Sequence, residues 1–178
     1  MNEKDLQRMA EQCRQESAEA SVRLSKDSRI QTVTLRPTWD QTFMAMAHTI
    51  ARRSLDPNYQ CGAVIINDMY QVIGVGYNGP PRHPEGNDDK IDWTVRPKRK
   101  VIHAEQNALL NRVVNQHPKE PTRAYVTHEP CICCLIMLIQ SGVVEIIYDI
   151  PIPELYENQE RQEVLRDWSG VCKVRQML

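Results

Sequence analysis

The chain has 178 residues, 41% of them hydrophobic and 25% charged, with a net charge of −1. That is enough for one domain of ordinary size with its own core. The balanced charge supplies no global positive field for long nucleic acid, and no apolar run reaches membrane-spanning length, so a small-molecule partner is expected, with no membrane. The polar residues 1–10 do not read as a secretory signal. Six cysteines stand at positions 13, 61, 131, 133, 134 and 172. Three of them fall within four residues, which suits metal binding better than a disulfide framework and points to a reducing, cytoplasmic setting.

Residues 1–36 read as a polar N-terminal extension. Leu6, Met9 and Cys13 fall at helical spacing, which fits either a short amphipathic helix or a loosely docked arm. Residues 37–178 read as the globular domain. Thr38 with Gln41 three residues later forms a capping box, and Phe43, Met44, Ala47, Ile50 and Ala51 make one apolar helix face. His48, amid apolar neighbours, reads as a satisfied core histidine, and Met44, Met46 and Met137 as core filler. A buried strand over 61–66, a turn at Asn67-Asp68 and a second strand over 71–77 read as a hairpin. Residues 78–87, rich in Pro and Gly, read as a loop. The basic cluster Arg96, Lys98, Arg99 and Lys100 reads as nucleotide-binding or as a solvated loop, and Trp93 as stacking on a base or simply packing.

A second helix is expected from 104 to about 115 and a third strand over 123–127. A third helix opens at Pro130 with Leu135, Ile136 and Ile139 inward. A strand over 143–150, a helix over 154–167 and a last strand over 171–174 follow. Alternating strands and helices after an initial hairpin predict an α/β fold with a mixed sheet flanked by helices.

Two segments carry chemistry: His103-Ala104-Glu105 and Pro130-Cys131-Ile132-Cys133-Cys134. Cys131 and Cys134, three apart on a helix, share a face near its positive N-terminus, where the thiolate form is favoured. His103 and Glu105, two apart, cannot share a face of a regular helix. His103 is therefore expected at the helix entry with non-helical backbone, so that both side chains approach one centre. One imidazole and two thiolates hold zinc with a position open, and a carboxylate beside it moves protons. Glu105 is the candidate acid/base. Other readings exist: a structural zinc or redox pair, a site closed by Cys133 or His128, and Glu105 as a solvated helix residue. Cys133 is expected to face away.

H-x-E followed by P-C-x-x-C is the signature of zinc-dependent nucleobase deaminases. The chain resembles the cytidine deaminase superfamily and, within it, the deoxycytidylate (dCMP) deaminases. The likeness extends to Arg53 through Ala63, to Gly74-Val75-Gly76-Tyr77-Asn78-Gly79-Pro80-Pro81, to Ile102 through Ala108, and to Tyr125-Val126-Thr127-His128 leading into the cysteines. It covers roughly residues 38–150. The resemblance implies a three-layer α/β/α fold on a five-stranded mixed sheet. It also implies hydrolysis of dCMP to dUMP and ammonia, with one zinc per chain held by His103, Cys131 and Cys134. Asn78 is carried over as a sugar or nucleotide contact and Asn58 as a substrate-side asparagine. Arg53 is a phosphate candidate by proximity. A homo-oligomer, often a hexamer, activated by dCTP (with Mg2+ as its companion) and inhibited by dTTP, is part of the same implication. Glu129 before Pro130 departs from many dCMP deaminases and matches base- and tRNA-acting relatives. A deaminase of a base in RNA or single-stranded DNA, and a non-catalytic zinc module, are the competing functions.

Overall fold

The computed structural model describes residues 36–81, 101–113, 121–155 and 158–177. The readings made for the segment around Leu6, for Trp93 and for the basic cluster at 96–100 lie outside these residues. The described elements run α1 (Trp39–Ala51), β1 (Gly62–Asn67), β2 (Val72–Tyr77), α2 (Ala104–Leu110), β3 (Thr122–His128), α3 (Ile132–Gln140), β4 (Val143–Ile150), α4 (Gln159–Asp167) and β5 (Lys173–Gln176). A short 3₁₀ turn at Pro153–Leu155 precedes α4.

The strands form one sheet in the order β2-β1-β3-β4-β5. β1 pairs antiparallel with β2 and β3, whereas β3/β4 and β4/β5 are parallel. The sheet is thus mixed, with a hairpin followed by three crossovers, the first carrying the chain from β2 past β1 to β3. Alternation along the strands feeds two apolar layers. Val64, Ile66, Tyr125 and Ile147 pack with Phe43, Met44 and Ala47 of α1. Ala63, Ile65, Val126 and Ile146 pack on the other face with Ala104 and Ala108 of α2 and Leu135 and Leu138 of α3. β1 is buried along its whole length, as expected for a strand covered on both faces.

Two glycines let the helices approach. A Cβ on Gly62 would collide with the α1 backbone at Ala47, and one on Gly76 with the α2 backbone at Ala104 and Ala108. α2 is also held at the sheet edge: Asn107 Nδ2 donates to Tyr77 O (2.7 Å) and Asn111 Nδ2 to Val75 O (3.2 Å). These asparagines, one turn apart, occupy edge carbonyls of β2.

Several boundaries differ from the sequence reading. α3 begins at Ile132, with Cys131 as its N-cap, and not at Pro130. α2 ends at Leu110. α4 begins at Gln159, because Pro153 opens a separate 3₁₀ turn. β5 is shifted to Lys173–Gln176. Ile136, Met46 and Met137 face outward and do not fill the core. His48 is only half-buried and contacts the Asp149 carboxylate at 2.7 Å.

Candidate active site

His103 and Cys131 are both helix N-caps, with extended backbones (φ −71°, ψ 158° and φ −67°, ψ 166°). An N-cap side chain folds back over the first turn of its own helix. Cys131 is thereby brought over Cys134, the third residue of α3. His103 is steadied from both sides. Its N–H donates to Gln106 Oε1 (3.0 Å), and Ile102 before it pairs with Gly79 through two backbone bonds of 3.1 and 2.7 Å. The packing of α2 against α3 then aims one cap at the other.

His103 Nδ1 lies 3.6 Å from Cys131 Sγ and 3.4 Å from Cys134 Sγ, and the three ligand atoms all lie within 4.8 Å of one another. A tetrahedral zinc with bonds of about 2.0–2.1 Å to nitrogen and about 2.3 Å to sulfur needs an N···S separation of about 3.6 Å. The donor set and its spacing therefore fit zinc. Among the described residues neither Cys133 nor His128 joins this group, and Cys133 is exposed. A three-donor set leaves a position for a reacting molecule.

The two sulfurs divide one charge. The hydrogen bond from Cys134 pulls the Cys131 thiol down to about 4, and the contact with His103 helps. The same bond to Cys131, with burial, pushes the Cys134 thiol far up. A divalent cation held here would remove this competition by deprotonating both. Glu105, second residue of α2, is 7% exposed. Burial holds its carboxyl above the usual range, against the pull of its own backbone N–H and of His103.

His103, Glu105 and Cys131 open onto a cavity of about 180 Å³ whose wall also includes Asn78, Tyr59 and His128. Asn78 is in the wall, but its amide is spent on the loop before β1. Nδ2 donates to Tyr59 O (2.8 Å) and Asp56 Oδ2 (3.4 Å), and Oδ1 accepts from Cys61 N–H (2.7 Å). Asn58 and Arg53 are exposed and outside the cavity wall. Sequence reasoning missed Arg161. It lies on α4, its side chain is 2% exposed, and its Nη2 pairs with Glu129 Oε1 at 2.6 Å. Its Nε donates to Pro130 O (3.4 Å), and Glu129 Oε2 accepts from Ile152 N–H (3.0 Å). A buried charge at Glu129 was the one available signal, since it demands a buried cation.

Residues 37–150 match the cytidine and deoxycytidylate deaminase zinc-binding region. The chain belongs to this deaminase family. The deoxycytidylate deaminases of Homo sapiens and Pongo abelii are each 38% identical to it over 117 residues, 62% of this chain and 64% of theirs. The chain therefore spans less than two thirds of the length of these curated relatives. ComE operon protein 2 of Bacillus subtilis is 34% identical over 137 residues, 76% of this chain and 70% of that one. The crystal structure of dCMP deaminase from the cyanophage S-TIM5 shares the fold of this deaminase domain, with a TM-score of 0.60 at 23% identity, covering 80% of this chain and all of that one. Among the described residues no helix is long and apolar enough to cross a membrane.

Proposed function

We propose that this chain is a zinc-dependent enzyme that hydrolyses dCMP to dUMP and ammonia. The convergence of His103 Nδ1, Cys131 Sγ and Cys134 Sγ, with His103, Cys131 and the buried Glu105 carboxyl lining one cavity, carries the reading. The substrate class is supported by relatives named deoxycytidylate deaminase and by the cyanophage enzyme described in complex with dCMP and dUMP. Zinc held by His103, Cys131 and Cys134 supplies Lewis acidity that makes a water nucleophilic near neutral pH.

Glu105 moves the protons. Its carboxylate takes one from the attacking water and gives it to the ring nitrogen. It then takes the remaining hydroxyl proton to the departing amine, which leaves as ammonia. A carboxyl raised by burial is suited to this return trip, because it gains and loses a proton closer to neutral pH. Asn78 frames the wall by fixing the Asp56–Cys61 loop. Asn58 and Arg53, near Tyr59 in sequence, are the proposed contacts for the sugar and phosphate. Control by dCTP with Mg2+ and by dTTP, hexameric assembly and a cytoplasmic location extend the proposal on the strength of the resemblance.

The test is ammonia release by zinc-loaded protein from dCMP, CMP, deoxycytidine and a cytosine-containing oligonucleotide, with and without dCTP and Mg2+. Turnover confined to dCMP is expected, stimulated by dCTP. Turnover of the oligonucleotide alone moves the chain to the nucleic-acid deaminases. Silence on all four with zinc bound overturns the reading.

A further inference from the structure

We infer that His128 is a specificity-determining residue that presents one fixed Nε2–H donor to the cavity and holds an acceptor oxygen of the nucleotide there. The inference rests on the reading of the cavity as a nucleotide site. His128 ends β3 and lines the cavity. Its ring is set by Thr127, which is 1% exposed. Thr127 Oγ1 accepts the Gly62 N–H (3.0 Å) and lies 3.0 Å from His128 Nδ1. A buried hydroxyl needs an acceptor for its own hydrogen, and Nδ1 is the acceptor within reach among the described residues. Nδ1 is therefore unprotonated, and in the neutral ring the hydrogen sits on Nε2.

Burial and the nearby His48 favour the neutral ring, since both depress its pKa against the opposing charge of Asp149. That Asp149 carboxylate is itself held by His48 at 2.7 Å. Tyr59 meets the His128 ring edge-on, with centroids 6.1 Å apart at 82°, which limits rotation of the imidazole. Nε2 has no hydrogen-bond partner among the described residues. The neighbouring Asn78 has already donated both amide hydrogens within the protein, so it cannot serve an acceptor on the ligand.

A ring locked in this way donates and cannot accept. It discriminates for an acceptor-only oxygen, either on the phosphate or at the base carbonyl, and against an amino group in the same place. Its grip is used equally before and during reaction, so its loss raises KM and spares kcat.

The test uses zinc-loaded wild type, His128→Leu and His128→Gln, assayed on dCMP with deoxycytidine as a competitive inhibitor and zinc content measured in parallel. Leucine removes the donor while keeping bulk, and glutamine restores an N–H. The expected result is an about tenfold higher KM for dCMP in His128→Leu with kcat within about twofold, and recovery in His128→Gln, the size of one lost hydrogen bond. A KM rise for dCMP with an unchanged inhibition constant for deoxycytidine assigns the phosphate oxygen, and an equal rise in both assigns the base carbonyl. An unchanged KM, or loss of zinc and kcat that glutamine does not repair, overturns the inference. Nitrogen-15 NMR of histidine-labelled protein gives a readout independent of activity. Protonated Nε2 with bare Nδ1 is expected, and a protonated Nδ1 overturns the assignment. If wild type leaves dCMP untouched, the functional reading falls, whereas this tautomer is still decided by NMR.

Discussion

Glu105 and Cys134 are buried side by side, yet their roles separate on substitution. Glu105→Gln keeps the shape and removes the proton carrier, so zinc content stays at one per chain and kcat on dCMP falls by about 10²–10⁴-fold. Metal analysis beside steady-state kinetics checks it, and a variant that turns over at the wild-type rate sinks the acid/base assignment. Cys134→Ala removes one of three donors, so the protein loses zinc on dialysis and unfolds at lower denaturant, since metal binding and folding draw on the same free energy. Full zinc content in that variant excludes Cys134 as a ligand. At this scale the sequence was highly legible, because H-x-E and C-x-x-C are local patterns whose spacing constrains direction. The roles of Asn78, Asn58 and Arg53 were less so. What an amide donates to depends on a loop path, and Asn78 turned out to be saturated by Tyr59, Asp56 and Cys61.

The elements matter because two helix N-caps, His103 and Cys131, with Cys134 in the first turn of α3, bring the three candidate donors together. The position of α2 on the sheet therefore fixes His103. Gly76→Ala places a methyl group against the α2 backbone at Ala104 and Ala108, which costs about 3 kcal/mol as overpacking. Urea denaturation and zinc affinity should weaken together, and a variant with unchanged zinc affinity would show that α2 can shift without carrying His103 away. α4 reaches the site through Arg161, which ties Glu129 and Pro130 just ahead of Cys131. Arg161→Met leaves Glu129 as a buried unpaired charge, at a cost of about 3–5 kcal/mol, and adding Glu129→Gln should recover most of that loss. A double variant no more stable than the single one removes charge burial as the cause. Periodicity located these helices but misjudged their ends and outer faces. Pro130 is as good a residue before an N-cap as in a first turn, so composition could not separate the two. Apolar content likewise could not show that Ile136 and Met137 point outward, because a helix so rich in apolar residues hides which stripe meets the sheet.

Across the whole molecule the first helix and the last strand are joined by one charged cluster. Tyr125 on β3 donates its hydroxyl to Asp40 Oδ1 (2.8 Å), and Arg175 on β5 donates to Asp40 Oδ2 (2.6 Å) and to Glu145 Oε1 (2.8 Å). None of this was visible in the sequence, since Asp40 and Arg175 are 135 positions apart and only the strand order brings them together. Partial burial works against the Asp40 charge, yet the bonds from Arg175 and Tyr125 outweigh it and hold its carboxyl below 3.8. With the folded value below the unfolded one, the unfolded chain binds the proton first as pH falls. The stability that Asp40 contributes is thus fully present above pH 3.8 and is lost as pH drops through the lower, folded value. Asp40→Asn should cost about 1 kcal/mol at neutral pH, the scale of a partly exposed pair. The gap between variant and wild type in urea midpoint should stay level down to about pH 4 and close progressively below it. A gap that persists undiminished at the acid end would mean that Asp40 acts through shape and not through its charge.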